Sequence, residues 1–122
     1  IDQFTIYYLR MLSQTEIFGE IIYGVDLDAE TRCAHWHSEL DIIAIKFKCC
    51  GRWFPCFECH AAVANHEPAV WPIGERDAKA ILCGKCGKQL RITDYFECDS
   101  ICPQCRSGFN PGCAKHYWLY FD

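Results

Sequence analysis

Apolar and polar positions along the chain alternate in short runs, none longer than a few turns or one strand. "FTIYYLRML" (residues 4–12) has the apolar density of a short helix or strand, and its periodicity does not choose between them. "YGVDLDAETRCAHWHSEL" (residues 23–40) is polar and turn-like. "LDIIAIKFKCC" then alternates imperfectly and is rich in Ile and Phe, which predicts a strand over residues 40–48. "GRWFPCFECHAAVANHEP" begins as a turn bounded by Gly and Pro, and predicts a short helix from about Phe57 that Pro68 must end. "KAILCGKCGKQLRITDYF" reads as strand, tight turn, strand. "SICPQCRSGFNPGCAKHYWLYF" reads as a second tight turn, a Gly/Pro loop and a last aromatic strand. There is no long linker and no repeat of fixed period.

These elements are too short to enclose a large core in 122 residues, and chains near this size often need additional cross-links. Eleven cysteines supply candidates. Their number is odd, and six of them fall in C-x2-C pairs: Cys56/Cys59, Cys83/Cys86 and Cys102/Cys105. Disulfide frameworks have no need of that spacing, whereas metal knuckles do. His35, His60, His66 and His116 lie within a few residues of cysteines. The cross-links are therefore expected to be metal ions, in a reducing compartment.

The strongest ligand set is Cys83-x2-Cys86-x15-Cys102-x2-Cys105. Each knuckle turns two sulfurs to one side, and the intervening segment brings the pairs together in a tetrahedral site with no position left for water. Four thiolates suit iron as well as zinc; a ferric site is red and a zinc site colourless. A second set is Cys33-x-His35 with Cys56-x2-Cys59, one pair before the predicted strand and one after it. At helical spacing Cys56, Cys59 and His60 share one face. The dense stretch leaves Cys49, Cys50 and His60, with His66 nearby, for a third site. Adjacent side chains point apart, so the spacing leaves open whether Cys49 and Cys50 serve one ion or two. Cys113-x2-His116 also has ligand spacing, and either completes a site or packs in the interior. Cys98 is expected to be a free thiol, and His37 a surface or supporting histidine.

Several function classes are disfavoured. The formal charge of −4 falls to about −7 with nine ligating thiolates and three divalent ions, a poor basis for sequence-independent nucleic-acid binding. No stretch has the apolar length of a membrane helix. Residues 1–20 carry Asp2, Arg10 and Glu16 and lack a basic start, so no secretory leader is expected, and the chain opens with Ile rather than Met. His37-x-Glu39 followed by Pro55-Cys56-x2-Cys59 formally matches a zinc deaminase signature, with Glu39 as proton shuttle. The intervening strand and cysteines do not fit the helix-borne motifs of such enzymes, so a non-enzymatic protein is expected.

Taken together, C-x-H at 33–35, "FKCCGRWFPCFECH" at 47–60, His66, "VWP" at 70–72, the two knuckles and "FNPGCAKHYWLYF" at 109–121 resemble the CHY-type zinc finger family. The resemblance covers residues 22–122, leaving residues 1–21 as an N-terminal extension. It implies a small, zinc-stabilised, loop-rich α+β fold: short antiparallel strands, zinc knuckles, one or two short helices and about three zinc ions. It also implies twelve ligands: Cys33, His35, Cys49, Cys50, Cys56, Cys59, His60, His66, Cys83, Cys86, Cys102 and Cys105. The short, stand-alone members are most similar, including the closing Cys113-x2-His116. Larger members add a RING domain, for which this chain has no room.

The function implied is a zinc-finger module for protein interaction, as a monomer or weak dimer, in the cytoplasm. The alternative is a thiol-redox or zinc-handling factor that assists cysteine-rich proteins, with Cys49, Cys50 and Cys98 as reactive points. One short fungal member assists small Tim proteins of the mitochondrial intermembrane space, the compartment expected for a fungal host. Trp53, Phe54, Trp71, Tyr117 and Trp118 are candidates for a partner surface.

Overall fold

A two-residue turn joins the first two strands of the described chain. Phe18 and Gly19 both take left-handed backbone angles (φ 50° and 83°), the twist that joins two strands most tightly. The computed structural model describes residues 12–122. In it β1 (Leu12–Ile17) and β2 (Glu20–Val25) pair antiparallel across that turn. Then follow β3 (Ile43–Lys46), β4 (Trp53–Phe54), helix α1 (Phe57–Val63), β5 (Lys79–Cys83), β6 (Gln89–Arg91) and helix α2 (Ile92–Glu97). Short 3-10 helices occupy Ile73–Glu75 and Pro111–Leu119. The six strands form one sheet in the order β1-β2-β4-β3-β5-β6. All neighbours are antiparallel except β2 and β4, which meet in parallel at Ile22 and Trp53.

The sheet buries both faces, and period-two alternation assigns the residues. Ile43 and Ile45 face the larger core, with Phe47, Phe54, Ile81 and Leu90. Ala44 and Leu82 point the other way, into a smaller cluster with Ile17, Ile22 and Trp53. Cys33, Cys56, Cys59, Cys83 and Cys102 belong to the larger core itself. The candidate ligands thus share one interior with the apolar residues. Among the described residues, no helix is long and apolar enough to cross a membrane.

The α+β, loop-rich expectation matches this architecture, while several local readings need correction. Only Ile43–Lys46 of residues 40–48 pairs as a strand. α1 stops at Val63, and Ala64 is already extended, well before Pro68. After Arg91 the chain turns into α2 rather than continuing as a strand. There the Asp94 carboxylate accepts the Arg91 backbone N–H at 3.2 Å and its guanidinium at 2.9 Å, fixing the first turn. The aromatic C-terminus is a 3-10 helix with Pro111 in its first turn, and only Phe121 beyond it forms a bridge, to Trp71. β2 spans residue 22. Most of "FTIYYLRML" lies outside the described residues. Of the aromatic surface candidates, Trp53 and Phe54 are buried, Trp71 and Tyr117 are half-buried, and Trp118 is 71% exposed.

Candidate metal centres

Three hairpin turns share one hydrogen-bond pattern. Gly51 N–H donates to the Phe47 carbonyl at 2.8 Å, Gly87 N–H to Cys83 at 2.9 Å, and Arg106 N–H to Cys102 at 2.9 Å. In each turn the first residue's own N–H donates to the carbonyl five positions on: Arg52, Lys88 and Ser107 respectively. Each closes through a left-handed residue, Gly51 (φ 69°), Gly87 (φ 83°) or Arg106 (φ 66°). The fourth position of each turn is a cysteine: Cys50, Cys86 and Cys105. In the two C-x2-C turns the first position is also cysteine. In the turn at residues 47–51 that place is taken by Phe47, and Cys49 at the third position supplies the second sulfur.

Among the described residues, the ligand types gather in three groups of four, each with donor atoms within 4.8 Å of one another. The first joins Cys33 and His35, on the loop after β2, to Cys56 and Cys59 at the start of α1. Asp28 shapes that loop by accepting the N–H groups of Glu30 at 2.8 Å and Arg32 at 2.9 Å. Cys33 and Cys56 sulfurs are 3.6 Å apart, and His35 Nδ1 lies 3.7, 3.4 and 3.5 Å from Cys33, Cys56 and Cys59. The second group is Cys49, Cys50, His60 and His66. Here the sulfurs are 3.8 Å apart, and His60 Nε2 and His66 Nε2 lie 3.2 and 3.3 Å from Cys49 and 3.3 Å from each other. The third is Cys83, Cys86, Cys102 and Cys105, with contacts of 3.8 Å (Cys83 to Cys105) and 3.7 Å (Cys86 to Cys102).

These spacings test the fit of a zinc ion. Tetrahedral zinc, about 2.3 Å from sulfur and about 2.0 Å from nitrogen, sets neighbouring donors about 3.3–3.8 Å apart. The observed separations match that edge length, and all eleven cysteines are free thiols rather than disulfides. The electrostatics agree. Hydrogen bonds from Cys56 and Cys59 pull the Cys33 thiol well below its ordinary value, while bonding to Cys33 holds both partners far above theirs. Without a cation the crowded thiols oppose one another's ionisation; a divalent ion would let all three ionise. In the third group burial pushes Cys83 and Cys86 up, and hydrogen bonding to Ser107 pulls Cys105 down to about 6.

The structure therefore brings together the twelve residues expected from the resemblance, and it places both Cys49 and Cys50 in one group. Cys113 and His116 join none of the three. Burial pushes the Cys113 thiol up to about 11, and His116 sets its ring edge-on to Trp36 at 5.7 Å. Cys98 also stands apart, with its thiol donating to the Tyr95 carbonyl at 3.1 Å. His37 is exposed, and Cys56 and Cys59 group with His35 rather than with it, unlike the deaminase arrangement.

Two supporting residues escaped the sequence reading. Phe47 stacks flat on His60, centroids 4.4 Å apart and planes 5° apart, and fixes that ring. Its signal was available: Gly51 follows Phe47 at the interval by which Gly87 follows Cys83. The Tyr120 hydroxyl accepts the Phe57 N–H at 2.9 Å, capping α1 beside the first group. Nothing local in sequence announces a contact that spans the chain.

The family model described as CHY zinc finger matches residues 33–117. "Helper of Tim protein 13" of Saccharomyces cerevisiae is 44% identical over 104 residues, covering 83% of this chain and 90% of its own. The Kluyveromyces lactis protein of the same name is 44% identical over 101 residues, covering 82% and 87%. An uncharacterised Schizosaccharomyces pombe protein is 31% identical over 110 residues, covering 90% and 92%. No solved structure matches the chain.

Proposed function

The chain belongs to the CHY zinc finger family, and from that premise we propose that it is a zinc-stabilised module that assists Tim proteins, as the names of its yeast relatives state for them. The three groups would hold one zinc each through the twelve residues named above. The completeness of the donor sets carries the reading: each group has four ligands, so no coordination position remains for substrate or activated water. Binding to protein, rather than metal catalysis, is what such sites support. The mitochondrial intermembrane space is the proposed compartment. The test is co-purification of the zinc-loaded chain with purified, reduced Tim proteins. A complex that forms with the zinc-loaded chain supports the reading; none at micromolar concentration refutes it.

A second reading, a zinc-handling factor for cysteine-rich proteins, is favoured by the unequal burial of the groups. Three of four ligands are buried in the first group and two in the third, but only His60 in the second. A protein that merely needed clamps has no use for one open clamp.

A further inference from the structure

We propose that the second group is the exchange site of the molecule, and that His66 is the ligand displaced when zinc passes to an incoming cysteine thiol. This rests on the zinc-handling reading and assigns it to one place.

Four independent features converge there. The group is the most open of the three: His66 is exposed and Cys49 and Cys50 are half-buried. Its ligands differ in anchorage. His60 is 1% exposed and held by Phe47 stacked on one face, with Phe54 edge-on at 4.9 Å. His66 lies on the stretch after α1, where, among the described residues, no backbone–backbone hydrogen bond involves residues 65–70. Such a segment opens locally at little cost. The donor set, two thiolates and two imidazoles, is neutral with zinc bound, whereas the first group is left with charge −1 and the third with −2. An approaching thiolate meets least repulsion at the second.

The hairpin that carries Cys49 and Cys50 bears Lys46, Lys48 and Arg52, three cations within seven positions of a net acidic chain. Lys48 is paired with Glu75 at 2.7 Å, while Lys46 and Arg52 lie over Trp53 and Tyr23. The step balances simply. Zinc held by Cys49, Cys50, His60 and His66 would exchange His66 Nε2 for the incoming sulfur, the thiol ionising first and its proton ending on the freed imidazole. No oxidant or reductant is consumed.

The test uses the full zinc-loaded chain, dithiothreitol as the thiol acceptor, N-ethylmaleimide pulses and native mass spectrometry. The first species to appear should have lost one zinc and carry label on Cys49 and Cys50, with the cysteines of the other two groups protected. His66→Ala should speed loss of the first zinc by at least about tenfold and leave the second and third unchanged. First labelling of the third group in the wild-type chain, or an unchanged first-zinc rate in His66→Ala, overturns the assignment while leaving zinc handling intact. If dithiothreitol removes no zinc where a strong chelator strips all three, the zinc-handling reading fails with it.

Discussion

Replacing Gly84 by alanine adds one methyl group at the point where two metal centres meet. Gly84 follows Cys83 in the third group's knuckle and donates its N–H to the Ile42 carbonyl at 2.6 Å. A Cβ there would collide with the Glu30 carbonyl oxygen and come within 2.8 Å of Thr31 Oγ1. The first obstacle is backbone, in the loop that delivers Cys33 two and three residues later. Thr31 is itself buried at φ 71°, so the loop has little freedom to retreat. Overpacking of this kind costs about 1–3 kcal/mol, and an immovable neighbour places Gly84→Ala at the upper end, about 3 kcal/mol. For a chain of this size that lowers Tm by roughly 10 °C. Gly74→Ala is the control, since its Cβ meets nothing within 4 Å, and should stay within about 0.5 kcal/mol of wild type. Thermal melts of the zinc-loaded proteins, with zinc counted per chain, read both effects. Equal melting of the two variants would refute the close approach of the Cys33 loop to the Cys83 knuckle.

Other expectations follow from the same contacts. Arg106→Gly relieves a left-handed residue at the place where the two sister turns use glycine, and should raise stability by about 0.5–1 kcal/mol in denaturant melts. Phe47→Ala removes the ring stacked on His60 and should cost about 3–5 kcal/mol, with zinc lost from the second group before the others in native mass spectra. Tyr120→Phe leaves the Phe57 N–H without its acceptor and should cost about 1–2 kcal/mol, read as a lower Tm with three zinc ions retained.

The ligands were legible because metal coordination writes itself in local spacing. Cys83/Cys86 and Cys102/Cys105 occupy fixed positions of a turn, and Cys56 and Cys59 sit three apart at the start of α1. The pairing of Cys49 with Cys50 was not, because it depends on the third and fourth positions of a turn whose first residue is Phe47. The β1–β2 hairpin was missed since its turn is Phe18-Gly19 rather than an Asn-Gly pair, and Phe18 accepts a left-handed angle while leaning on Gly87. α2 was read as a strand because Ile92, Thr93, Tyr95 and Phe96 favour strands by composition; burial of Ile92 and Tyr95 and the Arg91–Asp94 contact decide otherwise. The terminal aromatics misled in the same way: packing of Tyr117 and Phe121 around Tyr95 and Phe96 sets their conformation.

One structural zinc is worth about as much free energy as the whole net stability of an ordinary domain, so the number of ions bound is the quantity on which the account turns. Native mass spectrometry of the chain purified without chelator, with intact thiols counted alongside, measures it directly. Three zinc ions per chain, with Cys98 and Cys113 outside the metal-bound set, is the predicted result. Fewer than three, or sulfurs joined to one another in place of the ions, would contradict it.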